Sequence, residues 1–235
     1  MTASAWWLEV VRRTYSTTEG LNQIEPEEME ELLPTVFQML YTEVFSTKAG
    51  WVLKEDVEYT LGKLKDWRDQ GGGPKLAVVS NFDDRLPAIL AELGISKYFD
   101  FVLTSFDQKS SKPSRGLFDE AVRRAGLSKS TACYHVGDSV ENDVNGAIDA
   151  GWTALRIHTD FDEDFPDWFD TDTDSSATEG AERRTRLMDW GRKNMQTGRA
   201  WTEIWGLDDV LYLFGFPEDP EKPIPTTYIR GYRDD

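Results

Sequence analysis

Apolar residues recur with helical spacing through the first third of the chain. Trp7, Val10, Val11 and Thr14 fall on one face of residues 4–15, which predicts a helix there. A second helix is predicted from Pro26, with Glu27 and Glu28 suited to its positive N-terminal end and apolar positions continuing to Phe45. Pro34 lies inside that pattern and is expected to kink or divide it. A third helix, from about Lys54 to Asp69, carries Val57, Leu61, Leu64 and Trp67 on one face. Gly71-Gly72-Gly73-Pro74 then breaks the chain.

From Leu76 the pattern changes to short apolar runs separated by helix-compatible segments. Leu76-Ala77-Val78-Val79 stops at Ser80-Asn81, and the second run is Phe99 to Thr104. Cys133-Tyr134-His135-Val136 leads into Gly137-Asp138-Ser139, and Trp152 to His158 is the fourth run. Four such strands alternating with helices predict an α/β fold, a Rossmann-like parallel sheet with helices on both faces. Ligands of such sheets bind where the strands end, and here the strand ends are polar.

Beyond His158 the periodicity stops. Residues 159–182 are rich in Asp and Glu and contain no Lys or Arg, which reads as a solvated, mobile loop. Residues 183–199 are basic and helix-compatible, so Arg183, Arg184, Arg186, Arg192 and Lys193 are expected to lie near those acids or a partner's acids. Residues 202–205 and 207–214 resemble a last strand and a short helix before the tail. The expected organisation is helices over 1–52, an α/β core over 53–158, the acidic loop and basic helix over 159–200, and a strand, helix and tail over 201–235.

Composition narrows the function classes. A chain of 235 residues can bury one sizeable core with a smaller second domain. The net charge of −17 argues against nucleic acid and anionic membranes as partners, because both need a basic footprint. No apolar run approaches 18 residues, so no membrane span is expected. The single cysteine, Cys133, is read as a buried small hydrophobe within a strand, and it rules out an intramolecular disulfide. A soluble intracellular protein, in the cytoplasm, is the expectation. The nine tryptophans point to large aromatic contacts in a core or interface.

Candidate chemistry sits at three strand ends or loops. A hydroxyl at Ser80 and the following Asn81 can bind phosphate oxygens, although a Ser-Asn strand end alone is more often a turn and cap. Lys112, before Pro113, can neutralise a phosphate as a point charge, although alone it reads as a solvated lysine. Asp138 after Gly137, with Asp143 five residues on, suits Mg²⁺, a hard cation that takes oxygen ligands; the plain alternative is two acids at a helix N-terminus.

The conjunction is more specific than its parts. Apolar strand–Ser-Asn, then Lys-Pro, then apolar strand–Gly-Asp-Ser-x-x-x-Asp-x-x-Gly-Ala-x-x-Ala-Gly-Trp resembles the haloacid dehalogenase superfamily over roughly residues 5–158. The resemblance implies that Ser80 holds a phosphoryl group with help from Asn81. Lys112 would stabilise the nucleophile and the transferring charge, and Asp138, aided by Asp143, would bind Mg²⁺. The helices before Gly71 would be most of an α-helical cap. Ser114 stands where the family's Lys-Pro-Asp has its Asp, a loss of one loop or capping carboxylate.

The first family motif, Asp-x-Asp-x-Thr, supplies the covalent nucleophile and the general acid/base. It should precede Trp6 by dozens of residues, and the 235 residues do not contain it. Asp160-Phe161-Asp162 has the Asp-x-Asp spacing, but its strand would lie ~10 Å from the central position at about 4.8 Å per strand. The expectation is therefore a hydrolase-fold protein inactive as written, acting as a binding or assembly subunit. A phosphorylated small molecule, or a protein partner at the C-terminal segment, would be its ligand. The alternative is a Mg²⁺-dependent phosphomonoester phosphatase whose N-terminal part lies outside this sequence. A central strand absent between those ending at Ser80 and Asp138 would leave a slot, filled by the C-terminal segment, by a partner, or by direct pairing of the two strands.

Overall fold

The computed structural model describes residues 2–18, 24–128, 131–158, 201–204 and 206–216. The acidic loop, the basic segment and the tail expected from the sequence, including Asp160 and Asp162, lie outside the described residues. The chain separates into two compact units, one made of Met1–Leu53 with Ala77–Ser111, the other of Lys54–Leu76 with Lys112–Asp235.

In the first unit, α1 spans Ala3–Thr17 and is capped by the Thr2 hydroxyl, which accepts the Ala5 N–H at 3.2 Å. Helix α2 spans Pro26–Gln38 and passes directly into a π-helical turn, Met39–Val44. Pro34 does not divide α2. Its position is exposed, so water can take up the carbonyl bond that its missing N–H leaves open. The irregularity comes instead at the π turn. Strand β1, Ala77–Ser80, pairs in parallel with β2, Phe101–Thr104, with Ser80 opposite Thr104. Helix α4, Leu86–Glu92, and a 3₁₀ turn at Ser96–Tyr98 join them. The Thr104 hydroxyl accepts the Asp107 N–H at 3.2 Å and starts the short α5, Ser105–Gln108. Val11, Leu33, Ile89, Leu90 and Leu103 are buried in this unit.

In the second unit, α3, Val57–Asp69, buries Thr60, Leu61 and Leu64, close to the face read from the sequence. The Asp56 carboxylate accepts the backbone N–H groups of Leu207 and Asp208, at 2.5 and 3.2 Å. It thereby ties the start of α3 to the turn before α8, Asp209–Leu213. Helix α6, Arg115–Ala125, is capped by Ser114, whose hydroxyl accepts the Gly116 N–H at 3.4 Å. The capping function expected to be lost with the family's Asp is thus performed by the hydroxyl. Strand β3, Tyr134–Gly137, leads through a π turn, Val140–Asn145, into α7, Gly146–Asp149. Strand β4, Thr153–Ile157, pairs in parallel with both β3 and β5, Trp201–Ile204. Cys133 precedes β3 rather than lying in it and is only half-buried, because the ladder starts at Tyr134.

The described strands form two ladders, β1-β2 and β3-β4-β5. Among the described strands β5 pairs with β4 and none pairs β1 with β3; the tail, one of the expected occupants of the slot, lies outside the described residues.

Two apolar clusters hold the second unit. Leu64, Leu155, Ile204, Val210 and Leu211 form one, flanked by Trp67 and Phe214. Phe118, Val144, Ala147, Ala150 and Ala154 form the other, with Trp152 against it. Small residues on α7 let it lie close: a Cβ at Gly146 would be 3.0 Å from both the Phe118 ring and Pro113 Cα. Leu155→Ala should lower the stability of this unit by about 2–5 kcal/mol in a urea titration, the cost of a cavity at a fully buried leucine. Val52→Ala, at a side chain 94% exposed, should move no transition by more than about 0.5 kcal/mol.

Candidate functional site

A buried polar cluster of the second unit is built on the end of β3. Side chains two apart on a strand share a face, so His135 and Gly137 point the same way. The absence of a side chain at Gly137 makes room for Asp143. A Cβ there would stand 2.3 Å from the Asp143 carboxyl carbon, so only glycine fits. The π turn that carries Asp143 begins at Ser139, whose hydroxyl accepts the Asn142 N–H at 3.2 Å.

Asp143 is the centre of the cluster and is buried. Its Oδ1 accepts from Lys112 Nζ at 2.5 Å and from His135 Nε2 at 2.8 Å, and its Oδ2 accepts the Ser139 N–H at 3.0 Å. Burial opposes its negative charge, but the bonds from His135 and Lys112 outweigh that and hold its pKa below the ordinary carboxylate range. Burial also lowers the pKa of His135, and the Lys112 charge adds to this, against the pull of Asp143. His135 is therefore neutral at pH 7, with its proton on Nε2, since an ionised Asp143 can only accept. The ring stands edge-on to Phe118 at 5.3 Å, so the apolar cluster beneath fixes its orientation. Lys112 enters through a cis Lys112–Pro113 peptide, with its side chain 10% exposed.

Asp138, between Gly137 and Ser139, is exposed. Farther along the same strand ends, Arg156 and His158 each lie 3.5 Å from Glu203. The hydrogen bond from His158 lowers the Glu203 pKa despite burial.

In the first unit, Ser80 ends β1 and Asn81 follows it in the open. The loop beyond is fixed by Arg85, which is buried. Its Nε and Nη2 donate to Asp83 at 2.9 and 2.7 Å, and its guanidinium lies 4.0 Å from the Tyr41 ring centroid and 5.1 Å from that of Trp7. Trp7 Nε1 donates to Asp83 Oδ2, the oxygen that Arg85 Nη2 also reaches, at 2.8 Å. Burial raises the cost of the Asp83 charge, yet the bonds from Arg85 and Trp7 leave its pKa below the ordinary value. The clamp ties the loop after Ser80-Asn81 to α1 and to the π turn after α2.

Of the residues named from the sequence, the structure brings Lys112 and Asp143 into contact and places Asp138 at the end of the same strand. Ser80 and Asn81 stand together at the end of β1. His135 was read only as a strand residue, and Arg85 and Asp83 were not among the candidate site residues. The signal for His135 was its i, i+2 relation to Gly137; no sequence pattern marks the arginine clamp.

The fit to Mg²⁺ is incomplete. Both oxygens of Asp143 are engaged by Lys112, His135 and Ser139, which leaves Asp138 as the one named carboxylate open to a cation. Among the described residues no group of three or more His, Cys, Asp or Glu side chains could hold a metal ion. The described residues do not by themselves make a Mg²⁺ site.

The family model for haloacid dehalogenase-like hydrolases matches residues 11–157, more than half of the chain, and the chain belongs to that family. Haloacid dehalogenase-like hydrolase domain-containing protein 3 from Mus musculus is 38% identical over 157 residues, which is 67% of this chain and 57% of that protein. The protein of the same name from Bos taurus is 35% identical over the same shares. The chain thus spans about 57% of the length of these relatives. The crystal structure of 2-haloacid dehalogenase from Pseudomonas syringae aligns with 91% of this chain and 71% of its own, with 21% identity and a TM-score of 0.52. The fold expected from the strand pattern is that of this family, a mixed structure of helices and parallel strands. No described helix is long and apolar enough to cross a membrane.

Asp143→Ala should destabilise the second unit by roughly 3 kcal/mol, since it removes the carboxylate that accepts from a largely buried ammonium and from a buried imidazole. Replacing Asp143 and Lys112 together by Leu and Met should cost less than the single change, as a double-mutant cycle in urea would show. The pH dependence follows from both shifts. His135 and Asp143 have lower pKa values folded than unfolded, so the unfolded chain binds more protons and both contributions are lost on acidification. The loss should start near the ordinary histidine value of 6.5 and deepen below the ordinary aspartate value of 3.8. Between pH 7 and 5 the Tm of wild type should fall more steeply than that of His135→Gln.

Proposed function

We propose that these 235 residues carry the charge-stabilising part of a haloacid dehalogenase-like hydrolase and, alone, bind phosphorylated small molecules without turning them over. The chain then serves as a binding or assembly subunit, with residues after 200 as the surface for a protein partner. The carrying observation is the buried Lys112–Asp143–His135 network, a cation positioned at a strand end by a carboxylate that is itself fixed. Phosphoryl recognition depends on positioned charge of this kind. Family membership supports Ser80 and Asn81 as holders of phosphoryl oxygens. Asp138 is the carboxylate for a Mg²⁺ ion that would take its remaining ligands from phosphate and water.

The inactive reading rests on content: the sequence holds no Asp-x-Asp-x-Thr, and Ser80, Lys112 and Asp138 only stabilise charge that an attacking group must create. A second reading is a Mg²⁺-dependent phosphomonoester phosphatase in which residues outside these 235 supply the nucleophile and the remaining metal ligands. The span of 57% of the relatives' length favours it.

The 235-residue chain should show no turnover of a chromogenic phosphomonoester in Mg²⁺ above that of its Lys112→Ala and Asp138→Asn variants. Turnover abolished by both substitutions would replace the binding reading with an enzyme that has another nucleophile.

A further inference from the structure

The first unit contains a pocket of about 610 Å³ whose walls include Trp6, Trp7, Phe82 and Phe106, with Asn81 and Lys109 among its polar lining. That volume is in the range of small-molecule sites. Its aromatic surface is partly fixed and partly open. Trp7 is held by its bond to Asp83 and by stacking on Phe45 at 6.3 Å, and Phe82 packs edge-on to Trp51 at 5.9 Å. Trp6, edge-on to Trp7 at 5.2 Å, is 53% exposed, and Phe106 is 42% exposed. Two large rings left half in water beside a cavity offer exposed faces for stacking.

The charge of the lining has one sign. Asp83 is neutralised in place, since Arg85 and Trp7 occupy both of its oxygens. Lys109 is exposed, stands in the left-handed region at φ 50°, and makes no ion pair among the described residues. The chain's overall charge of −17 repels anions at a distance, but its reach is about 8–10 Å at ordinary salt, and Lys109 is the cationic side chain of the pocket lining.

We propose that this pocket takes a small anionic molecule with a planar aromatic body, an aryl phosphate in the reading above. The rings stack on Trp6 and Phe106, and Lys109 meets the negative charge. The phosphate depends on the proposed phosphoryl binding; the aromatic body does not.

The test is calorimetric titration of the 235-residue chain with three probes: 1-naphthyl phosphate, ethyl phosphate and 1-naphthalenesulfonate. Naphthyl phosphate should bind about tenfold more tightly than ethyl phosphate. Trp6→Ala and Phe106→Ala, both at half-exposed positions that should leave folding intact, should erase that preference and leave ethyl phosphate affinity unchanged. Lys109→Ala should weaken all three probes alike. Equal affinity for the two phosphates, or a preference untouched by both aromatic variants, would overturn the aromatic site and leave phosphoryl binding standing. Binding of both naphthyl compounds without ethyl phosphate, lost in Trp6→Ala, would uphold the site and overturn the phosphoryl reading.

Discussion

The Asp143 carboxylate, pressed against the bare backbone of Gly137, is the contact on which the second unit's functional end depends. One oxygen serves Lys112 and His135 and the other serves the Ser139 N–H. Three parts of the unit therefore meet on one side chain: the loop before α6, strand β3 and the π turn after it. Each partner is oriented by something else. His135 leans on Phe118, and Phe118 is packed beneath α7, which Gly146 allows to approach. Removing the carboxylate would free all three parts at once, which a loss of one apolar contact would not do.

Taking a lysine and an aspartate out of water is costly, and an apolar pair of the same size often packs as well or better. Stability is thus a poor reason for such a network. The return is position: a cation whose place is set to within a hydrogen bond. The first unit uses the same device with the opposite emphasis. There Arg85 is the buried group, and Asp83, Tyr41 and Trp7 surround it. In both places a buried charge pair stiffens the chain close to a polar strand end, Gly137-Asp138 in one and Ser80-Asn81 in the other.

Much of this was legible in the sequence because strand ends are marked twice, by the end of an apolar run and by the polar residues that follow. Ser80 and Asp138 could be named for that reason, Lys112 from the polar loop before Pro113 and Asp143 from its spacing after Asp138, and the family resemblance fixed their order. The sheet pairing of residues 201–204 with β4 was legible only as a strand, since partner choice is not written in a four-residue run. His135 was hidden because an imidazole inside an apolar strand reads like any half-buried residue until its neighbour on the same face is known. Pro34 does not divide α2 because its position is exposed, and the π turns at Met39–Val44 and Val140–Asn145 leave no periodic trace in six residues each.

Asp143 is a residue whose surroundings, not its spacing, decide what it can do. Five residues after Asp138, it has the look of a second metal ligand. In the folded chain its lone pairs are already directed at a lysine, an imidazole and an amide. A carboxylate so engaged cannot turn toward a cation without giving up its bonds to the largely buried Lys112 and to His135. The two aspartates therefore divide the work by burial. The exposed one, Asp138, can meet a ligand, and the buried one holds the lysine in place. An amide at Asp143 could keep one or two of its bonds but not its charge, so the first property lost on such a change is the placing of the Lys112 ammonium, ahead of any loss of fold.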